Sequence, residues 1–223
     1  VDRGEDPGSE STRFSVESKL PETARAQELR DKGLATPDLF ELDPVKDAED
    51  FRASIELLKQ NNKWASSVYV YDLEEYQAMR LFSTEDGTAG IALKPNGDIV
   101  SGFVYGDSPH KGAISSMLSQ MVDQGGDRLD AYDTVLPEIY AKAGFKPVAR
   151  VRWNNEFAPD GWDKETYSKF NNGEPDVVIM AYDAGRIGSK YDPQEGEVFD
   201  DYDEAIAARD LQLKNTAERP GPS

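Results

Sequence analysis

His110, Lys111, Gly112 and Ala113 bring the chain's single histidine, a lysine and a glycine together just ahead of an apolar-periodic run. Cationic side chains at a helix start suit anions, because the free N–H groups and the positive helix end already point outward there. A histidine side chain can serve as a general base, yet the position of His110 equally suits an anion contact. Proton acceptors for an incoming nucleophile must otherwise come from Asp98, Asp133 or Glu138, and such groups also cap turns and helices. The loop from Trp153 to Trp162 carries Asn154, Asn155, Glu156 and Asp160. It could line a pocket, or be a fixed loop pinned by its two tryptophans. There is no cysteine, which excludes disulfides, thiolate metal sites and cysteine nucleophiles. With one histidine no transition-metal site is expected, although carboxylates could hold hard cations weakly. Neither a Walker loop nor a G-x-S-x-G elbow is present.

The elements that must position these residues are readable from periodicity. Phe51, Ile55 and Leu58 recur at helical spacing within 48–59, after a linker containing Pro37 and Pro44. A shorter helix is expected within 21–32, ended by Gly33. Residues 68–71 read as a strand, 73–79 as a brief helix capped by Asp72, and 80–83 as extended. Residues 89–93 and 99–105 flank a KPNGD turn, and Asn96-Gly97 predicts a type I′ hairpin. Ile114, Met117, Leu118, Met121 and Val122 define the helix that follows Gly112. Residues 128–151 then read strand, helix, strand: Pro137 suits a first helical turn, Tyr140 lies four residues before Gly144, and Gly144 suits the C′ position. A short helical stretch is expected around 167–170. The VVIM run within 176–182 reads as a central strand, and 200–213 as a last amphipathic helix.

The chain has 223 residues, of which 38% are hydrophobic, and a mean hydropathy of −0.68. The polar excess concentrates in residues 1–20 and 184–223. A division into a polar arm with a short helix (1–45), one α/β domain (46–185) and an acidic arm with a possible helix (186–223) fits this distribution. Net charge is −18, which repels phosphate backbones, so no direct nucleic-acid binding is expected. The acid-rich stretch 191–204 reads as a solvated tail, or as an arm that docks on a basic partner. No apolar run approaches the ~20 residues that span a bilayer, so no membrane contact is expected. The lack of cysteine fits a reducing cytoplasm.

The stretches GIALKPNGDIVSGF, SPHKGA, LDAYDTVLPEIYAKAGFKPVARVRWNNEFAPDGW and PDVVIMAYD together resemble the GNAT (Gcn5-related N-acetyltransferase) superfamily, closest to a phage- and mobile-element-associated branch. The resemblance covers most of residues 64–183. It implies a mixed, mostly antiparallel twisted sheet flanked by helices, and transfer of an acetyl group from acetyl-CoA to an amine acceptor, a small molecule or a protein. It also implies that Tyr140 sits beside the thioester sulfur and can protonate the departing thiolate. By the same resemblance His110, Lys111, Gly112 and Ala113 would hold the CoA pyrophosphate. The family pattern there is Gln/Arg-x-x-Gly-x-Gly/Ala. Gly112 matches its central glycine, whereas Pro109 removes an N–H donor and Ile114 replaces the last small residue. The alternative is a catalytically inactive GNAT-fold module of a virion or other assembly, binding partners through its arms. The expected location is accordingly the bacterial host cytoplasm or a virion.

Overall fold

The computed structural model describes Phe14 and residues 18–217; what the sequence suggests for the remaining residues of the two arms lies outside the described residues. Five strands, β1 (Ser18–Lys19), β2 (Phe40–Glu41), β3 (Arg80–Ser83), β4 (Ala89–Leu93) and β5 (Ile99–Val104), form one antiparallel sheet in that order. A second sheet has the order β6 (Arg128–Tyr132), β8 (Val177–Tyr182), β7 (Phe145–Val151), β9 (Glu197–Phe199). Its pairs are antiparallel except β7 with β9. Between β6 and β7, β8 is central, and its Val178, Ile179 and Met180 are fully buried. The architecture is the mixed, mostly antiparallel α/β fold that the resemblance implies.

Local chemistry explains the helices. Asp43 caps α2 (Pro44–Asn61) by accepting from the N–H groups of Val45 and Lys46, and Pro44 occupies the first turn, where no N–H is missed. This proline therefore begins the helix, four residues earlier than periodicity alone suggests. The apolar stripe of α2 seats Phe51 edge-on against Tyr76 and Phe103. Two shorter helices, α1 (Ala26–Asp31) and α3 (Leu73–Gln77), flank it in sequence; in α3 the Glu75 carboxylate accepts from the Asp72 N–H. Under the opposite faces of both sheets run α4 (Ala113–Asp123) and α5 (Leu136–Lys142), which share a core built from Met117, Met121, Leu129, Phe145 and Met180. Gly144 ends α5 at φ 103°. The last helix, α6 (Tyr202–Ala217), buries Ala205 against Ala149, Val151 and Ile179 on the second sheet's other face.

Three local expectations change. Residues 68–71 form no strand: β2 takes the free edge of β3 instead, and Val68, Val70 and Tyr71 pack beside the α2 core as irregular chain. The β4–β5 turn is not type I′, since only Gly97 takes a positive φ, 94°. It closes with Gly97 N–H on Lys94 O and Lys94 N–H on Asp98 O, the longer hairpin form with one left-handed glycine. Around residue 170 the chain makes turns and a 3₁₀ segment, Asn171–Gly173, rather than a helix.

Candidate active site

Strand β5 carries a bulge. Its pairing with β4 steps from Gly90↔Phe103 to Ala92↔Val100, so Ser101 and Gly102 oppose Ile91 alone. Ser101 takes φ 54°, an uncommon conformation for a residue with a Cβ, and its hydroxyl is held 2.8 Å from the Tyr76 hydroxyl. A bulge bends the strand that carries it. Consistent with this, β5 and the parallel β6 share one bridge among the described residues, Asp98↔Arg128 at their starts, and are otherwise unpaired. Beyond that bridge no ladder joins the two strands, and the interval between them is here called the wedge.

One side of the wedge carries Tyr140. The tyrosine packs against the core shared by α4 and α5. It is largely but not fully buried. Its hydroxyl has no hydrogen-bond partner among the described residues. Burial, and then the nearby Asp130 carboxylate, push its pKa up to about 12.

The other side carries two carboxylates. Asp98 precedes β5, and Asp130 lies on β6 on the face opposite the buried Leu129. The Asp98 side chain is 14% exposed, with Lys94 Nζ 3.9 Å away. Its pKa is pushed up to about 6, first by burial and then by Asp130, against the opposing charges of Lys94, Arg209 and Arg128. Asp130 accepts a 2.6 Å hydrogen bond from Tyr202 of α6. Tyr71 stands over the same groove, with the Lys94 ammonium 4.3 Å from its ring centre. Burial and the charges of Asp98 and Asp130 raise its pKa too.

Residues 152–176, between β7 and β8, reach from the second sheet to the segment after α2. Trp162 stacks on Tyr167 at 3.9 Å and packs against Tyr132 and Trp153. The Tyr167 hydroxyl donates to Trp64 O at 2.8 Å, and its ring meets the Trp64 ring edge-on. Gly173 lets this loop fold on itself, because a Cβ there would lie 2.3 Å from Lys164 O. These rings fill one another's faces, so the loop is pinned by its tryptophans and ties the second sheet to the segment after α2.

The segment before α4 is more closed. Gly112 is the residue preceding the helix, at φ 74°, with no side chain capping the first turn. A Cβ on it would fall 2.6 Å from Leu34 Cδ2, and Ala35 N–H donates to Lys111 O at 2.9 Å. The strap after α1 thus lies over the glycine. The Lys111 ammonium donates to Gly106 O. His110 Nε2 lies 2.9 Å from Asp86 Oδ2. Burial works against the Asp86 charge, but hydrogen bonds from Thr84 and Thr88, with the His110 interaction, outweigh it and lower the pKa. Ala113 is fully buried. Ile114 points at β5, its Cδ1 3.1 Å from where a Gly102 Cβ would be, and so does not crowd the loop. Positive charge is gathered as the sequence suggests, but both side chains already have partners within the protein.

Of the other carboxylates, Glu138 is exposed on α5, and Asp133 is held by Arg150 at 3.2 Å and by the Tyr191 hydroxyl at 2.8 Å. Arg150, 5% exposed, also donates to Asp192 O and Glu195 O, which fixes the acid-rich stretch against the sheet. Asp130 lies inside the LDAYD stretch but carries no role in its pattern, and Tyr202 stands in no motif; the alternation of β6 places Asp130 opposite Leu129, and that was the available signal. Among the described residues no cluster of His, Cys, Asp and Glu could hold a metal ion, and no helix is long and apolar enough to cross a membrane.

No protein-family model matches the chain, and no curated protein matches it. Among solved structures it is similar to a GCN5-related N-acetyltransferase from Rhodopseudomonas palustris, described as "Aminotransferase, Class-II". The match covers 66% of this chain and 95% of the other at 20% identity, with a TM-score of 0.38. So loose a superposition carries no weight for activity; the functional reading rests on the wedge.

Proposed function

We propose that the protein is a GNAT-like N-acyltransferase that moves an acetyl group from acetyl-CoA to an amine. The observation that carries this reading is the absent ladder between β5 and β6, beside which Tyr140 of α5 lies near Asp130 of β6. Strands without a ladder leave backbone N–H and C=O groups without partners, and such groups demand hydrogen bonds. An extended ligand rich in amides, like the arm of acetyl-CoA, answers that demand. Bound there, acetyl-CoA would supply an activated acyl carbon and a thiolate leaving group. The uncapped first turn of α4 would face its phosphates. Tyr140, protonated at neutral pH as a phenol is, would deliver its hydroxyl proton to sulfur. The fold would contribute mainly by aligning amine and thioester. Thiol release from acetyl-CoA in the presence of amines tests the reading: Tyr140→Phe should slow release about 100-fold while leaving acetyl-CoA affinity within about twofold. Unchanged turnover in that variant would refute the role of Tyr140.

A second reading has its own observation. Leu34 covers Gly112, Lys111 is spent on Gly106, and His110 is paired with Asp86. A fold with its phosphate loop closed in this way suits a non-catalytic module of a virion or another protein assembly. A thermal-shift titration separates the two, since the module should not respond to millimolar acetyl-CoA.

A further inference from the structure

The strap that covers Gly112 begins at a helix cap. At the end of α1, Gly33 N–H donates to Arg30 O at 2.9 Å and Leu34 N–H to Leu29 O at 3.0 Å, the pair of bonds that ends a helix through a left-handed residue. Gly33 supplies that residue at φ 78°, and nothing lies within 4 Å of where its Cβ would be. The turn aims Leu34 across the loop before α4, where its Cδ2 falls 2.6 Å from the position of a Gly112 Cβ. It also brings Ala35 N–H to Lys111 O at 2.9 Å.

The strap is firm at its ends and loosely held between them. Leu29 and Leu39 are 2% and 0% exposed, and Ser119 of α4 donates to Thr23 Oγ1, just before α1, at 3.0 Å. None of residues 30–38 is buried. The bond from Arg30 to Thr36 Oγ1, 3.0 Å, stays within this segment. Among the described residues, Ala35 thus provides the one hydrogen bond between the strap and the loop it covers. A segment with little buried surface and few hydrogen bonds opens at a small cost in free energy.

We infer that residues 33–37 are a gate over the phosphate loop: closed, they keep the pyrophosphate of acetyl-CoA from Gly112, and binding requires them to turn away about Gly33. The inference rests on the acetyl-transfer reading and adds the regulation of its donor site. This structure holds the closed form. A site that is open in only a fraction of the molecules binds its ligand more weakly by that fraction. Whatever disfavours the closed strap therefore tightens binding, and by reciprocity bound acetyl-CoA favours the open strap. Leu34 and Gly33 bias the equilibrium in different ways: one is the covering side chain, the other the backbone turn that places it.

The test is calorimetric titration of the intact protein with acetyl-CoA in the wild type, Leu34→Ala and Gly33→Val. Valine disfavours the left-handed turn, and its Cβ meets nothing. Each variant should bind acetyl-CoA at least fivefold more tightly than the wild type. Hydrogen exchange of the wild type supplies a readout that needs no substitution. Saturating acetyl-CoA should speed amide exchange across residues 33–37, whereas a ligand packed beneath an unmoved strap would slow it. Wild-type affinity in both variants, or slower exchange across 33–37 on binding, overturns the gate and leaves the transfer reading standing. No heat from any of the three proteins refutes the transfer reading, and the gate with it.

Discussion

Asp98→Asn should stabilise the folded protein above pH 6 and leave it unaided at pH 4. The Asp98 carboxyl titrates at about 6 in the fold against its ordinary 3.8, chiefly because burial disfavours the charged form. At about 1.4 kcal/mol per pH unit, that difference is worth about 3 kcal/mol. The sign follows from proton counting. Between these two values the folded state keeps a proton that the unfolded chain has released, so stability falls as pH rises through the interval and is lowest, from this group, above about pH 6. Asparagine keeps the shape of the side chain and cannot ionise, so it removes the penalty. The measurement is urea unfolding of both proteins at half-unit steps from pH 4 to 7.5. Carboxylates remote from Asp98 titrate alike in the two and cancel in the difference. The variant's advantage should grow by about 3 kcal/mol across the range, which for a chain of this size corresponds to roughly 6–12 °C in Tm at neutral pH. A difference that does not vary with pH, or a variant less stable at pH 7, refutes a buried, charge-crowded Asp98.

Other outcomes follow from the same geometry. Arg150→Ala should cost about 3–5 kcal/mol in urea unfolding, because it strands Asp133 and frees Asp192 O and Glu195 O; limited proteolysis should then cut within residues 190–198, which intact protein should resist. Gly112→Ala should destabilise by about 1–2 kcal/mol, since the new Cβ both requires φ 74° and meets Leu34. The double variant with Leu34→Ala should recover part of that loss, and an additive result in the double-variant cycle would refute the contact. If the strap restricts the phosphate loop, Leu34→Ala alone should tighten acetyl-CoA binding, read as a lower Kd by calorimetry.

How far the sequence reaches is clearest at particular residues. Residues 128–151 are legible because their signals are local: Pro137 starts a helix, Gly144 ends one, and apolar alternation brackets both. The β4–β5 hairpin is legible for the same reason, although its turn type is not, because Asn96-Gly97 is compatible with more than one closure. The short strands β1, β2 and β9, of two or three residues each, carry too little pattern to read. What places them is the unpaired edge of a neighbouring strand, a tertiary demand. The candidate site divides similarly. Tyr140 stands out through its helix and glycine, while Asp98 and Asp130 become a pair only where the bridge Asp98↔Arg128 joins residues 30 apart in the chain. Lys111 and His110 show the opposite case: the local pattern is right, but their charge is spent on Gly106 and Asp86, partners that a motif does not reveal.

The most direct test of the account is calorimetric titration of the intact protein with acetyl-CoA, beside desulfo-CoA and 3′-phospho-ADP. A wedge that holds the amide arm predicts one saturable site for acetyl-CoA, retained by desulfo-CoA and much weaker for the nucleotide fragment alone. Absence of heat with millimolar acetyl-CoA, or equal affinity for the bare nucleotide, would contradict the assignment of the β5–β6 wedge as the acyl-donor site.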